Sequence, residues 1–137
     1  MAILLDTSLL FAAAFTRDVN HQKAKAFLLT TKREARIVPT PILSELFYMT
    51  TVRLHYSRAV ELFQSTQLTF KIEALNDVDM ARMQAIMRQY ADAEFDFADV
   101  AMMALAERLN ITRIGTFERR DFSVFRPTHT PYLELLP

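Results

Sequence analysis

The stretch AILLD, residues 2–6, places an acid directly after four apolar residues in a row. Such an unbroken apolar run is typical of a parallel β-strand that is covered on both faces. The hydroxyls of Thr7 and Ser8 follow, and apolar residues resume at Leu9. Two explanations fit the acid. Asp6 caps a following helix, or it lies at the carboxyl edge of a parallel sheet, where functional crevices form.

Short strand-like segments alternate with helical ones along the rest of the chain. Further strands are predicted in ARIVPT (35–40), LTFKIEAL (68–75) and ITRIGTF (111–117), with a short edge strand in YLELL (132–136). Helices are predicted at about 8–15, after Asn20, after the cap Thr40 with Pro41 at the first helical position, at about 57–63, and within 76–91 and 96–110. This alternation predicts βαβ units. The expected fold class is α/β, a three-layer α/β/α sandwich around a central, mostly parallel sheet of four to five strands.

Composition narrows the possible functions. The 137 residues suit one domain, 1–137, and 51% of them are hydrophobic. The chain has no cysteine, which excludes disulfides and thiolate metal sites. Its single glycine, Gly115, excludes the glycine-rich loops that cradle phosphates in Walker and dinucleotide-binding motifs. No apolar run is long enough to span a bilayer and no leader pattern opens the chain, so we expect a cytoplasmic protein without a membrane partner.

Other acids occupy positions equivalent to that of Asp6. Glu45 lies one turn into the helix after the second strand, and Asp96 and Asp99 begin the helix before the fourth strand. Glu118 follows that strand, with Asp121 nearby. Four separated segments thus offer carboxylates at one edge of the sheet, and such a cluster repels itself unless cations neutralise it. Oxygen ligands without cysteine or paired histidine favour Mg²⁺ or Mn²⁺.

Structural roles compete with this interpretation at each position. Asp96 is equally well explained as the cap of its helix, and Glu118 as a solvated turn residue. Asp99 is harder to explain structurally, because it lies among apolar neighbours inside a helix, where aspartate is disfavoured. Glu45 raises the same question more mildly, since glutamate is a good helix former.

Four motifs carry a resemblance to a known family. LLDTSLL, TPILSELFYM, FDFADVAMMALAERL and RIGTFERRDF, at residues 4–10, 40–49, 95–109 and 113–122, resemble in order and spacing the motifs of PIN domains of the VapC toxin type. The match covers nearly the whole chain. The resemblance implies a PIN-like α/β/α fold and a Mg²⁺- or Mn²⁺-dependent endoribonuclease. It also implies a type II toxin held inactive by a VapB-like antitoxin, and a homodimer.

The resemblance also assigns roles to residues of this chain. Asp6, Glu45 and Asp99 match the first three family acids, and Glu118 matches the fourth, which is usually aspartate. The implied catalytic and metal-binding set is therefore Asp6, Glu45, Asp99 and Glu118. Asp96, Ser8 and Thr116 are implied as auxiliary residues: Ser8 fits the hydroxyl that supports the first acid, and Thr116 precedes the fourth.

The RNA substrate needs cations, although the chain carries 16 basic and 16 acidic residues. Arg119 and Arg120 adjoin Glu118 and are the candidate RNA-binding residues at the cleft rim, with Arg17 and Lys23 as weaker candidates. Two alternatives to the ribonuclease stay open. The same acids would serve a DNA-directed nuclease, and the substitution of glutamate at 118 would suit a non-catalytic PIN-fold module for RNA binding or dimerisation.

Overall fold

The opening strand lies in the middle of a five-stranded, wholly parallel sheet of strand order β3-β2-β1-β4-β5. The structure is a computed structural model that describes residues 1–137. The strands are β1 (Ala2–Leu5), β2 (Ala35–Pro39), β3 (Lys71–Glu73), β4 (Arg113–Gly115) and β5 (Glu134–Leu136). The predicted α/β sandwich is confirmed, and all five predicted strands exist.

Seven helices connect the strands. They are α1 (Thr7–Ala14), α2 (His21–Thr30), α3 (Thr40–Arg53), α4 (Tyr56–Thr69), α5 (Asp77–Gln89), α6 (Phe97–Arg108) and α7 (Arg120–Val124), with a 3₁₀ turn at Ala91–Ala93. None of these helices is long and apolar enough to cross a membrane.

The order of the strands reverses at β1. From β1 the chain moves through β2 to β3 on one side, then crosses back to β4 and β5 on the other side. Because parallel crossovers are right-handed, this reversal puts α1–α4 on one face of the sheet and α5–α7 on the other. The carboxyl ends of β1 and β4 flank the reversal, which is where open α/β sheets form their binding crevice.

Two predicted boundaries were wrong. The helix predicted at about 57–63 continues to Thr69, so the third strand keeps only Lys71–Glu73 of the predicted 68–75. Leu68, which alternation placed in the strand, is an 88% exposed residue of α4. Helix α3 also begins one residue early: Thr40 is its first residue, Pro39 takes the cap position, and no side chain caps the helix. Asn110 ends α6 as predicted, with a left-handed φ of 54°.

The core forms where the helices cover the sheet, and it fixes β4 against β1. Leu4 pairs with Ile114 and Leu5 with Gly115. A side chain at Gly115 would place its Cβ 2.9 Å from Leu5 and 3.0 Å from Leu9. Close packing of side chains, and not backbone conformation, therefore favours glycine at this position.

Candidate acidic active site

The acids predicted to converge do line one cleft, at the reversal beside β1. Asp6 follows β1, Glu45 lies in α3, Asp99 lies in the first turn of α6, and Glu118 follows β4. The cleft has a volume of about 330 Å³. Its walls are Asp6, Thr7, Ser8, Glu45, Met49, Asp96, Asp99, Glu118, Arg120 and Asp121. Nine of these ten residues are polar or charged, so the cleft has the character of a reaction or binding site.

Asp6 is held by hydroxyl groups and does not cap α1. Its side chain makes no capping hydrogen bond to the helix. Instead, Thr116 Oγ1 donates to Asp6 Oδ2 at 2.7 Å, and Ser8 Oγ donates to the same oxygen at 3.1 Å. The Asp6 amide also donates to the Gly115 carbonyl at 2.9 Å. Asp6 is thus oriented toward the cleft from the end of a central strand.

Burial makes the charge of Asp6 costly. The residue is 3% exposed, and this burial raises its pKa from 3.8 to about 6. The hydrogen bonds from Thr116 and Ser8 lower the pKa, and the nearby charge of Glu45 raises it, but desolvation is the largest effect. A carboxylate with this environment favours a positive partner.

Ser8 and Thr116 form a polar link between β1 and β4. Their hydroxyl oxygens are 3.1 Å apart. Ser8 Oγ accepts a hydrogen bond from the Phe117 amide at 3.0 Å, and Thr116 Oγ1 accepts one from the Glu118 amide at 2.9 Å. Ser8 and Thr116, two of the three auxiliary residues predicted from the sequence, therefore contact both Asp6 and the segment that carries Glu118.

Asp99 shares its surroundings with a second acid, Asp121. Burial raises the pKa of Asp99 well above its usual range, and a hydrogen bond to the Asp121 side chain raises it further. The charges of Asp6 and Asp96 act in the same direction. Burial and the neighbouring carboxyl groups thus disfavour the charged form of Asp99, so this residue, like Asp6, favours a positive partner.

Asp121 is the site residue that sequence reasoning noted without assigning a role. It lies in the first turn of α7 and is half-buried, whereas Glu118 is exposed. The buried rings of Phe122 and Phe125 anchor this short helix in the core. The signal was present in the sequence: an acid directly before Phe122 puts a polar side chain beside a buried one.

Of the remaining predicted residues, some line the cleft and others contact the structure around it. Asp96 is the cap of α6, and its Oδ1 accepts from the Asp99 amide at 2.8 Å, although it also lines the cleft. Arg120 lines the cleft. Arg119 instead turns toward the C-terminal strand, where its Nη2 donates to the Pro137 carbonyl at 2.6 Å.

The oxygen atoms available as ligands in the cleft suit a hard divalent cation. The carboxylates and hydroxyls that line the cleft offer oxygen only, and Thr7 Oγ1 is buried there without a hydrogen-bond partner. No three acidic or histidine side chains are arranged as a ready-made metal cage.

The fold and the cleft together define a class: a parallel α/β/α domain with a cluster of carboxylates at the reversal of its strand order. The model of the PIN domain family matches residues 3–126. The chain belongs to the PIN domain family.

Comparisons with individual proteins agree with this assignment. The chain is 24% identical over 126 residues to Ribonuclease VapC26 of Mycobacterium tuberculosis, covering 91% of this chain and 93% of that one. The crystal structure of M. tuberculosis VapC20, described as a sarcin–ricin loop cleaving toxin, superposes with a TM-score of 0.81 at 20% identity, over 93% of this chain and 98% of that one. DNA-bound VapBC of Salmonella typhimurium gives a TM-score of 0.74 at 12% identity, over 98% and 96%. The resemblance to VapC-type PIN domains is confirmed.

Proposed function

We propose that this protein is the toxin of a type II toxin–antitoxin pair, a Mg²⁺- or Mn²⁺-dependent endoribonuclease that hydrolyses RNA phosphodiester bonds. The observation that carries the proposal is the convergence of carboxylates from four separated segments in one cleft. Two of these, Asp6 and Asp99, have their pKa raised by burial, as expected of groups built to face a cation. The similarity to Ribonuclease VapC26 supports the choice of reaction.

The residues that line the cleft would have different roles in this reaction. Asp6 and Asp99 would hold the cation, with Glu45 and Glu118 as direct or water-mediated ligands. A divalent cation in such a site lowers the pKa of a bound water molecule and offsets negative charge on a phosphate. Ser8 and Thr116 fix the orientation of Asp6 through the hydrogen bonds to Oδ2.

Asp121 and Arg120 would each have a further role in the cleft. Asp121 also lines the cleft and would add its carboxylate to the oxygens that face the cation. Arg120 is the only cationic residue that lines the cleft, so its guanidinium is the natural contact for a phosphate of the RNA. Because such contacts release counterions, RNA cleavage would weaken as salt rises.

A VapB-like antitoxin is the expected partner. Structures similar to this chain include the complexes VapBC2 of Rickettsia felis and VapBC of Salmonella typhimurium. Exposed apolar side chains on α3 and α4, among them Val52 (64% exposed) and Tyr56 (65% exposed), offer surface for such a partner or for a homodimer.

Paired substitutions test the proposed activity. The purified protein is incubated with bulk RNA and, in parallel, with single-stranded DNA, in Mg²⁺, in Mn²⁺ and in EDTA. We expect metal-dependent cleavage of RNA that Asp6→Asn and Asp99→Asn abolish. Asp92→Asn is the matched control, because Asp92 is exposed and does not line the cleft.

The other outcomes discriminate the alternatives. Cleavage of DNA in preference to RNA would indicate the DNA-directed nuclease. If neither substrate is cut in any metal and expression of the wild type does not slow growth, the chain is a non-catalytic PIN module. Cleavage that survives both Asp6→Asn and Asp99→Asn would place the reaction outside this cleft.

A further inference from the structure

A second groove adjoins the acidic cleft. It has a volume of about 580 Å³ and lies between the start of α3 and the start of α6. Glu45 and Asp96 line both the groove and the cleft, so the two are continuous. Whatever occupies the cleft can therefore extend into this groove.

Two aromatic rings stand exposed in the groove. Tyr48 on α3 is 71% exposed, and Phe97, the first residue of α6, is 52% exposed. The aromatic pairs within the chain involve other rings, such as Phe47 with Tyr56. Neither Tyr48 nor Phe97 is paired with another ring, so the faces of both are open to a ligand.

The charge of the groove decides what kind of ligand fits. Its lining contains two carboxylates, Glu45 and Asp96, and no cation. A phosphate chain lying there would meet repulsion without compensation. A nucleobase is uncharged, has faces that stack on aromatic rings, and carries N–H groups that carboxylates accept.

We propose that Tyr48 and Phe97 form a stacking platform for an unpaired base of the RNA, next to the bond that the acidic cleft cleaves. This inference rests on the proposed function and deepens it by naming two residues of this chain that would hold a base splayed out of a single-stranded or looped segment. Proteins read sequence in such segments through stacking and through hydrogen bonds to exposed base edges. Thr40 and Ser44, which also line the groove, supply hydroxyls for those edges.

The test compares RNA with and without bases. Cleavage is blocked with Asp99→Asn in the full chain, and the affinity is measured by fluorescence anisotropy. One ligand is a labelled 12-nucleotide single-stranded RNA of mixed sequence, and the other is an abasic ribose-phosphate chain of the same length. On this background Tyr48→Ala and Phe97→Ala should each weaken binding of the base-bearing RNA about 5- to 100-fold, the range of one lost stacking contact.

Control variants separate stacking from charge and from folding. Binding of the abasic chain should stay within twofold for both alanine variants, whereas Arg120→Ala should weaken binding of both ligands. Tyr48→Phe and Phe97→Tyr keep the rings and should retain the affinity for the base-bearing RNA. Far-UV circular dichroism checks that each variant is folded.

Three results would overturn the proposal. In the first, the alanine variants bind the base-bearing RNA as tightly as the Asp99→Asn parent. In the second, they lose both ligands equally. In the third, they convert a dimer into a monomer in sedimentation, which would make the groove an interface between copies of this chain. If the wild type cleaves RNA while any of these holds, only the stacking platform fails; if it neither binds nor cleaves RNA, the proposed function fails with it.

Discussion

Replacing Asp6 with asparagine should stabilise the metal-free protein at neutral pH. The side chain keeps its shape, and the amide oxygen can take the place of Oδ2 as acceptor for the Thr116 and Ser8 hydroxyls. The substitution removes the buried charge. Because one pKa unit corresponds to about 1.4 kcal/mol, a pKa raised from 3.8 to about 6 means that the charged form of Asp6 costs the fold about 3 kcal/mol.

The sign of the pH dependence follows from the raised pKa. Between pH 3.8 and about 6 the folded protein keeps the Asp6 proton, whereas the unfolded chain releases it. The folded state therefore binds more protons in this window, and its stability falls as pH rises. The contribution of Asp6 is fully present below pH 3.8 and is lost once the pH exceeds about 6.

Urea denaturation in EDTA measures the effect directly. The difference in free energy of unfolding between Asp6→Asn and wild type should move in favour of the variant by about 2–3 kcal/mol between pH 4 and pH 7.5. Asp92→Asn, which removes an exposed carboxylate, is the control and should show a far smaller change. Adding Mg²⁺ at pH 7.5 should stabilise the wild type and not Asp6→Asn, since a ligand stabilises only the state that binds it.

One result would refute this reasoning. If the stability difference between Asp6→Asn and wild type stays constant within about 0.5 kcal/mol over the whole pH range, burial does not perturb this carboxyl. The cleft would then be wetter than its 3% exposed aspartate indicates. Stabilisation of Asp6→Asn by Mg²⁺, equal to that of the wild type, would separately remove Asp6 from the metal-binding residues.

Three further predictions concern the support of Asp6, the packing of β4 and a buried ion pair between two helices. Thr116→Val removes the 2.7 Å donor to Asp6 and should lower Mg²⁺ affinity in calorimetry about 10-fold or more, whereas Thr116→Ser should retain it. Gly115→Ala places a methyl group 2.9 Å from Leu5 and should cost about 1–3 kcal/mol in urea denaturation; a loss below about 0.5 kcal/mol would show that the contact relaxes. Arg108→Ala leaves Asp79, which is 1% exposed, without its 2.8 Å ion-pair partner and should cost about 3 kcal/mol, unlike Arg126→Ala on the exposed surface.

The sequence predicted the sheet well because its strands are strongly apolar and sharply bounded. Residues 2–5 are followed at once by polar groups, and the parallel topology then required Asp6 to lie at the functional edge. The third strand was overestimated because LTFKIEAL alternates only in part. Its first residues instead continue the amphipathic helix α4. A local sequence pattern cannot show whether such residues end a helix or begin a strand that pairs with β2.

The convergence of four acids at one edge of the sheet was predicted from the sequence, whereas the place of Asp121 beside them was not. Strand ends and helix starts brought Asp6, Glu45, Asp99 and Glu118 to one edge, but only coordinates show that Asp121 lines the same cleft. The sequence also could not show that the side chains of Arg119 and Arg120 point away from each other. Adjacent residues around the start of α7 point in different directions, one to the C-terminal strand and one to the cleft.

The hydrogen bond between Asp6 and Thr116 joins residues 110 positions apart. During synthesis on the ribosome, β1 therefore emerges well before β4, the neighbouring strand that supplies Thr116 next to it. At about 5–20 residues per second this interval lasts roughly 5–20 seconds. A nascent or prematurely terminated chain that lacks β4 and the residues after it has no Thr116 and no Glu118, so the acidic cleft cannot assemble until that segment has been made.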